Sequence, residues 1–286
     1  MAATSQMPSM LKNYASALLA GGKRYRAGMP IPALSMQVAN VRINKRHLAR
    51  YNRVCGFSDE SVVAPTYLQI LAFPLQIGML AQKAFPIPLL GVVHVRNTID
   101  VLLPLSKDVS FDLSVSIADH RLVAKGVEID LLTQAVVAGT VVWRAVTTML
   151  HRCKTDLSDT AKTASEPAIE ANLQHWILPA GLGRSYGLAS GDINPIHLSA
   201  MSAKAFGFKR AIAHGMWSKA RCLAALESVL PKTPYRIDVA FKLPILLPAK
   251  ARFSSQRTTD GYEFELRSGD GAKPHMRGSI QPLPPQ

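Results

Sequence analysis

The chain has few of the residues that staple or chelate a fold. Its three cysteines, Cys55, Cys153 and Cys222, never form a C-x-x-C pair. That excludes a disulfide framework and a thiolate zinc site, and it points to a reducing compartment, taken here as the cytoplasm. The eight histidines follow neither an H-E-x-x-H nor an H-x(3 to 5)-H spacing, so no metal site is expected. Aromatic residues make up only 7%. No array of them alternates with basic residues, as base stacking would require, so a nucleic acid is not the expected partner. Acidic residues are absent from positions 1–58, which hold nine Lys or Arg. The bias resembles a transit peptide, but it persists past any plausible cleavage point and no apolar core precedes a small-residue cleavage site. It reads as the basic start of a domain. An uncharged stretch at 61–82 is long enough to span a bilayer, yet Pro65 and Pro74 interrupt it and Thr66, Gln69 and Gln76 are scattered through it. Such amides are costly in lipid and satisfiable in a folded core, so the stretch reads as a buried helix and no membrane partner is expected.

What remains is a globular composition. Of 286 residues, 48% are hydrophobic and 18% charged, enough apolar surface to offset the entropy of ordering the chain in two domains. A formal charge of +14 favours an anionic partner, such as a phosphate-bearing molecule. The polar segment 154–172 reads as a linker between an N-terminal half, 1–153, and a C-terminal half, 173–286. The halves share an internal repeat. Residues 51–56 (YNRVCG) match 186–191 (YGLASG) at an offset of 135, 78–80 (GML) match 215–217 (GMW) at 137, and 126–131 (GVEIDL) match 261–266 (GYEFEL) at 135 again. Each half reads as a loop with a small-Gly step, an apolar helix and then several strands, with strands expected at 89–103, 109–117, 123–132 and 133–150 in the first. In the second half the helix is expected at 214–230, closed by Pro231 and Pro234, with strands at 235–241, 251–258, 262–267 and 273–280. A long helix against an antiparallel sheet, made twice, is an α+β architecture.

The chemistry concentrates in 184–220. Tyr186-x-x-x-Ser190-Gly191-Asp192-x-Asn194-Pro195-x-His197, followed by Ala213-His214-Gly215-Met216, resembles the signature of the (R)-specific enoyl-CoA hydratases of the MaoC-like dehydratase family. The resemblance implies a double hotdog, in which each sheet wraps around a central helix. It also implies reversible addition of water to trans-2-enoyl thioesters, giving (3R)-hydroxyacyl thioesters carried on coenzyme A or acyl carrier protein, with no metal or redox cofactor. The motif is matched strongly and the whole chain in outline.

The residue types suit that chemistry in their own right. Adding water across a double bond conjugated to a thioester needs a base for the water, a proton for the α-carbon and a donor for the enolate oxygen. Asp192 and His197, joined through an Asn-Pro step, can reach one water if Pro195 fixes a turn and His197 opens the next helical segment. Asp192 is assigned chiefly to take the water proton while His197 holds the water and helps return a proton; which of them donates to carbon stays open. Asn194 would hold the pair through hydrogen bonds in the loop. Gly215, at a helix start, offers an unpaired N–H as oxyanion donor, its missing Cβ letting a carbonyl approach. His214 and Met216 flank it and are placed among the substrate-binding residues, His214 with a structural role at the helix start as the plainer alternative. Lys209 and Arg210 are candidates for the phosphates of coenzyme A, whereas Arg42, Lys45, Arg46 and Arg50, at helical spacing, read first as a solvated face. Gly181-Leu182-Gly183 lacks the third glycine of a dinucleotide fingerprint and reads as a loop.

At the repeat offset, Phe57 replaces Asp192 and Val62 replaces His197. Neither transfers protons, so the first half is expected to lend apolar wall to the acyl chain, through Phe73, Leu75, Met79 and Leu80, unless these are plain core. Rival readings are an acyl-CoA thioesterase, since one fold hosts several activities, and a non-catalytic acyl-CoA-binding protein. Two repeats in one chain already form a pair and could pair again as a homodimer.

Overall fold

The computed structural model describes residues 2–4, 7–8, 23–59, 61–89, 91–158, 167–232 and 234–284. Residues 9–22 of the basic N-terminal stretch and 159–166 of the expected linker lie outside them. In chain order the elements are β1 (Ala2–Thr4), β2 (Ser35–Val41), α1 (Lys45–Cys55), α2 (Tyr67–Ala81), β3 (Val93–Val101), β4 (Phe111–Val123), β5 (Gly126–Val137) and β6 (Thr140–Arg152). They continue with β7 (Gln174–Leu178), α3 (Leu182–Ser190), α4 (Pro195–Leu198), α5 (Ala200–Lys204), α6 (Gly215–Ala225), a 3-10 turn (Glu227–Val229), β8 (Tyr235–Phe241), β9 (Ala249–Thr258), β10 (Gly261–Ser268) and β11 (Pro274–Pro282). No helix among the described residues is long and apolar enough to cross a membrane.

Two compact units emerge, interleaved in sequence: Met1–Arg42, Leu68–Thr98 and Ser110–Pro167 form one, and Ile43–Tyr67, Ile99–Val109 and Ala168–Gln286 the other. This differs from the contiguous halves 1–153 and 173–286, because α1 packs with C-terminal elements. Trp217 Nε1 donates to Val54 O at 3.1 Å, and Tyr51 meets the Tyr186 ring with centroids 6.1 Å apart. The described ends of the linker are held too: Ile169 N donates to Glu265 Oε1 and Asn172 Nδ2 to Ser255 O.

In the first unit the strands run β1-β2-β4-β5-β6-β3. The pairs β2–β4, β4–β5 and β5–β6 are antiparallel, and β1 joins β2 in parallel. The turn expected at 132/133 instead falls at Ala138 and Gly139, with φ of 47° and 82°. Two consecutive left-handed residues match the twist of a tight hairpin, so β5 runs on through Thr133. Helix α2 buries Leu68, Ala72, Leu75 and Met79, and its two glutamines are paired in the core as a folded interior requires. Gln69 Nε2 donates to Thr147 Oγ1 at 3.1 Å and Gln76 Nε2 to Thr133 Oγ1 at 2.9 Å. Lys23 Nζ caps the helix end on Leu80 O and Gln82 O.

The second unit orders its strands β8-β11-β10-β9-β7, all antiparallel. Its long helix α6 is shorter than the expected 214–230, ending at Ala225 before the 3-10 turn, and it buries Trp217, Ala220, Cys222 and Leu223. An antiparallel sheet bearing one long helix thus recurs in each unit.

Two of the three repeat islands have a structural meaning. Residues 51–56 and 186–191 are both helix C-termini closed by a left-handed glycine, Gly56 at φ 84° and Gly191 at φ 78°. Gly126 and Gly261 both open a strand at nearly equal φ, 142° and 141°. The middle island does not correspond, since Gly78 lies near the end of α2 while Gly215 begins α6.

The segment 181–183, read above as a loop, caps and opens α3: Gly181 is its N-cap and Leu182 and Gly183 lie in its first turn. A Cβ on Gly183 would stand 2.0 Å from His197 O, and one on Gly187 2.9 Å from Asp192 O. Four residues apart on one helix face, these glycines let the main chain of the 192–197 loop lie against α3. Gly183→Ala is therefore expected to cost about 1–3 kcal/mol by overpacking against backbone that cannot yield. Gly181→Ala, whose Cβ would meet only Arg184 Nη2 at 3.7 Å, should change stability far less. Urea denaturation of the two variants makes the comparison, and equal stabilities would contradict this account of the glycine.

Candidate active site

The 192–197 loop is built by its own side chains. Asp192 Oδ1 accepts from Asn194 N at 3.2 Å, and Asn194 Oδ1 accepts from Ile196 N at 3.3 Å, so Asn194 is the N-cap of α4 with Pro195 in its first turn. Asn194 thus holds the loop. The short helix then carries His197 inward, where only 8% of it is exposed.

His197 Nδ1 lies 2.8 Å from Ile212 O. A carbonyl can only accept, so Nδ1 bears the proton and Nε2 keeps a free lone pair. The carbonyl is itself fixed by Ile212 N donating to Ile196 O at 3.0 Å and, on either side, by Ala213 N to Ile245 O and Leu247 N to Ala211 O. Burial lowers the His197 pKa below its ordinary value of 6.5, against the opposing pull of Asp192 and the Ile212 carbonyl.

His214 sits deeper in the cluster than a substrate-binding assignment suggests. It is 3% exposed, its ring stacks on His197 with centroids 3.6 Å apart and planes 24° from parallel, and its Nε2 is 3.0 Å from Asp192 O and 3.8 Å from Asp192 Oδ2. Burial and the neighbouring His197 depress its pKa from 6.5 to about 4, so this imidazole is neutral at ordinary pH. Tyr186 leans on the opposite side of the cluster, its ring 4.8 Å from His214. Asp192, His197 and His214 therefore form one group, with one ligand-type atom from each lying within 4.8 Å of the others. Such a trio could hold a metal ion by composition alone. Here one nitrogen of each ring faces a main-chain carbonyl and is committed to a hydrogen bond.

Gly215 is the first residue of α6, after His214 in an extended conformation, and its N–H has no partner among the described residues. Its missing Cβ has a different use from the one expected. The Phe241 ring fills that space, with Cε1 3.1 Å and Cδ1 3.2 Å from where a Cβ would be. Met216 is half-buried beside it. Lys209 and Arg210 are exposed on the turn leading to Ala211, Arg210 resting on Pro248 O.

In the first repeat Phe57 is buried, while Val62 is 43% exposed. Leu75, Met79 and Leu80 are at most 3% exposed and belong to the core of the first unit; Phe73 is half-buried. The residues that sequence reasoning missed are Tyr51, Gly183, Gly187 and Phe241. The two glycines carried a signal in their spacing of four on a helix and Tyr51 in its repeat match to Tyr186, whereas Phe241 carried none.

Residues 180–277, which contain the whole cluster, match the MaoC like domain. Over 281 residues the chain is 31% identical to 3-hydroxyacyl-thioester dehydratase X of Mycobacterium tuberculosis, covering 96% of this chain and 99% of that one. The crystal structure of HtdX from Mycobacterium tuberculosis superimposes with a TM-score of 0.76 at 29% identity, over 87% of this chain and 100% of that chain. A MaoC-like dehydratase from Phytophthora capsici shares the fold at 17% identity with a TM-score of 0.71, over 88% of this chain and 95% of the other. Given a relationship that spans nearly its full length, the chain belongs to the MaoC-like dehydratase family, hydro-lyases built on the hotdog fold.

Proposed function

We propose that this protein adds water reversibly to trans-2-enoyl thioesters, giving (3R)-hydroxyacyl thioesters, with Asp192 and His197 acting on one water molecule. The carrying observation is the meeting of a carboxylate and an imidazole with a bare Nε2 in one cluster, one residue in sequence from a helix whose first N–H has no described partner. The water oxygen bonds to C3 as one of the pair takes its proton. The π electrons move through C2 onto the thioester oxygen, and the Gly215 N–H stabilises the negative charge there, aided by the α6 dipole. When the carbonyl re-forms, C2 takes a proton from the pair; dehydration is the reverse. No metal or redox cofactor enters a step. The carrier is coenzyme A or acyl carrier protein, with Lys209 and Arg210 meeting its phosphate groups. The same reading includes a cytoplasmic setting, supported by three free cysteines, two of them buried, and a possible homodimer.

Purified protein given crotonyl-CoA and longer enoyl-CoA thioesters should bleach the conjugated enoyl absorbance, and chiral separation should return the (3R) product; no turnover at any chain length would overturn the proposal. Asp192→Asn and His197→Ala should each lower kcat about 100-fold or more while the fold, read by circular dichroism, stays intact, as loss of a general acid or base does.

The pH profile follows from the lowered pKa of His197. The neutral ring is the working form, and a depressed pKa delays protonation on acidification. The acid limb of kcat/KM assigned to this group should therefore lie below pH 6.5. A His197 limb above that value would place the ring in different surroundings.

Lys209→Ala and Arg210→Ala should raise KM for a CoA thioester several-fold while leaving KM for the matching N-acetylcysteamine thioester, which has no phosphate, unchanged. Equal effects on both substrates would remove these two residues from carrier recognition.

A further inference from the structure

We propose that His214 is a positioning residue for the Asp192–His197 pair: its ring clamps the plane of His197 by stacking, and its Nε2–H fixes the main chain of Asp192. The inference rests on the reading that this pair performs the chemistry, and it assigns to His214 a part that neither carries protons nor touches substrate.

The argument starts with the hydrogen bond. Nε2 faces the Asp192 carbonyl at 3.0 Å, and a carbonyl oxygen only accepts, so Nε2 is the protonated nitrogen. Nδ1 is then a bare lone pair, buried and with no hydrogen-bond partner among the described residues. Protonating it would place a charge in the buried interior with no acceptor for the new N–H among the described residues, which is why the ring remains neutral. A ring locked in one tautomer makes a poor proton shuttle and a good strut.

The strut has two working faces. Its ring centroid lies 3.6 Å from that of His197, so the His197 ring, already tethered at Nδ1 to Ile212 O, is held against rotation within the cluster of Asp192, His197 and His214. Its edge holds the backbone of Asp192, whose Oδ1 accepts from Asn194 N within the same loop. Behind His214 stands Tyr186 at 4.8 Å, behind that Tyr51 at 6.1 Å, and Tyr51 donates to Thr66 Oγ1 at 2.8 Å. Tyr51 and Tyr186 are fully buried and occupy equivalent positions in the repeat. The segment that lost its proton-transfer residues thus supplies the backing for the pair in the other repeat. Small displacements of catalytic groups are known to cost large factors in rate.

The test compares His214→Phe, which keeps a stacking ring and loses the donor, with His214→Gln, which restores an N–H near the Nε2 position. His214→Phe is expected to lower kcat at least 10-fold with KM changed less than 2-fold, and His214→Gln to recover a substantial part of it; Asp192→Asn and His197→Ala run beside them. Wild-type kcat in His214→Phe, with the Asp192 and His197 variants inactive, would overturn the positioning role and leave the proposed chemistry standing. Active Asp192 and His197 variants would overturn both. Should His214→Phe fail to fold, histidine 15N chemical shifts of the unaltered protein decide: the neutral Nε2–H tautomer persisting from pH 7 to pH 5 supports the strut, and a His214 cation or an Nδ1–H tautomer in that range refutes it.

Discussion

The site depends on one hydrogen bond, from His197 Nδ1 to the main-chain oxygen of Ile212. Without it the buried imidazole could take either tautomer, and half of those arrangements would turn an N–H, instead of a lone pair, toward Asp192. The acceptor is dependable because Ile212 is not in a free loop. Its own N–H is bound to Ile196 O, and the residues on both sides are tied to 245–247. The α4 turn that holds His197 and the 211–213 segment that fixes its tautomer therefore brace each other, and the lone pair on Nε2 follows from backbone bonding alone.

Much of this was legible in the sequence, for identifiable reasons. Asp192, Asn194 and Pro195 encode their geometry locally: a carboxylate that accepts from its own turn, an amide that caps, and a proline whose fixed φ suits a first helical turn. Local chemistry of that kind survives translation from sequence to fold. The environment of His214 does not, because its stacking partner is seventeen positions away and its hydrogen-bond acceptor is a backbone atom with no sequence signature. Phe241 was invisible for the same reason: a glycine at a helix start looks like room for a ligand, and only the tertiary fold shows an aromatic ring pressed against it. The strand limits of the first unit failed differently. Gly126 to Val137 is one strand with no turn residue at 132/133, and the turn that follows it uses Gly139 together with an alanine at positive φ, a residue that carries no turn signal.

The repeat shows what degeneration removes and what it keeps. At the repeat offset Phe57 and Val62 stand opposite Asp192 and His197, whereas the helix-closing glycine, the tyrosine five residues before it and the strand-opening glycine occur in both halves. The retained set is structural: Gly56 satisfies the end of α1 in the left-handed conformation, and Tyr51 is buried against Tyr186 and Tyr67. Backbone conformation and buried aromatic packing are intolerant of substitution, while a proton-transfer group without a substrate can be replaced at little cost to stability. The Tyr51–Tyr186 contact and the Trp217 bond to Val54 O are why 43–67 groups with the C-terminal elements.

Charge gives the site its remaining character. Between Glu170 and Glu227 the sequence contains a single acidic residue, Asp192, among Arg184, Lys204, Lys209, Arg210, Lys219 and Arg221. Two of these cations are committed to the fold: Lys219 is fully buried with its Nζ on Ile237 O, and Arg221 lies over the Trp176 ring. Arg184, Lys204, Lys209 and Arg210 are exposed, so this stretch of the chain presents four cations to solvent and one half-buried acid. Such a field favours anionic molecules over neutral ones at the encounter stage and weakens with salt. Lys209 and Arg210 are exposed and take no part in the hydrogen bonds that hold His197 and His214, so these side chains can change without disturbing the bonds that fix the two rings.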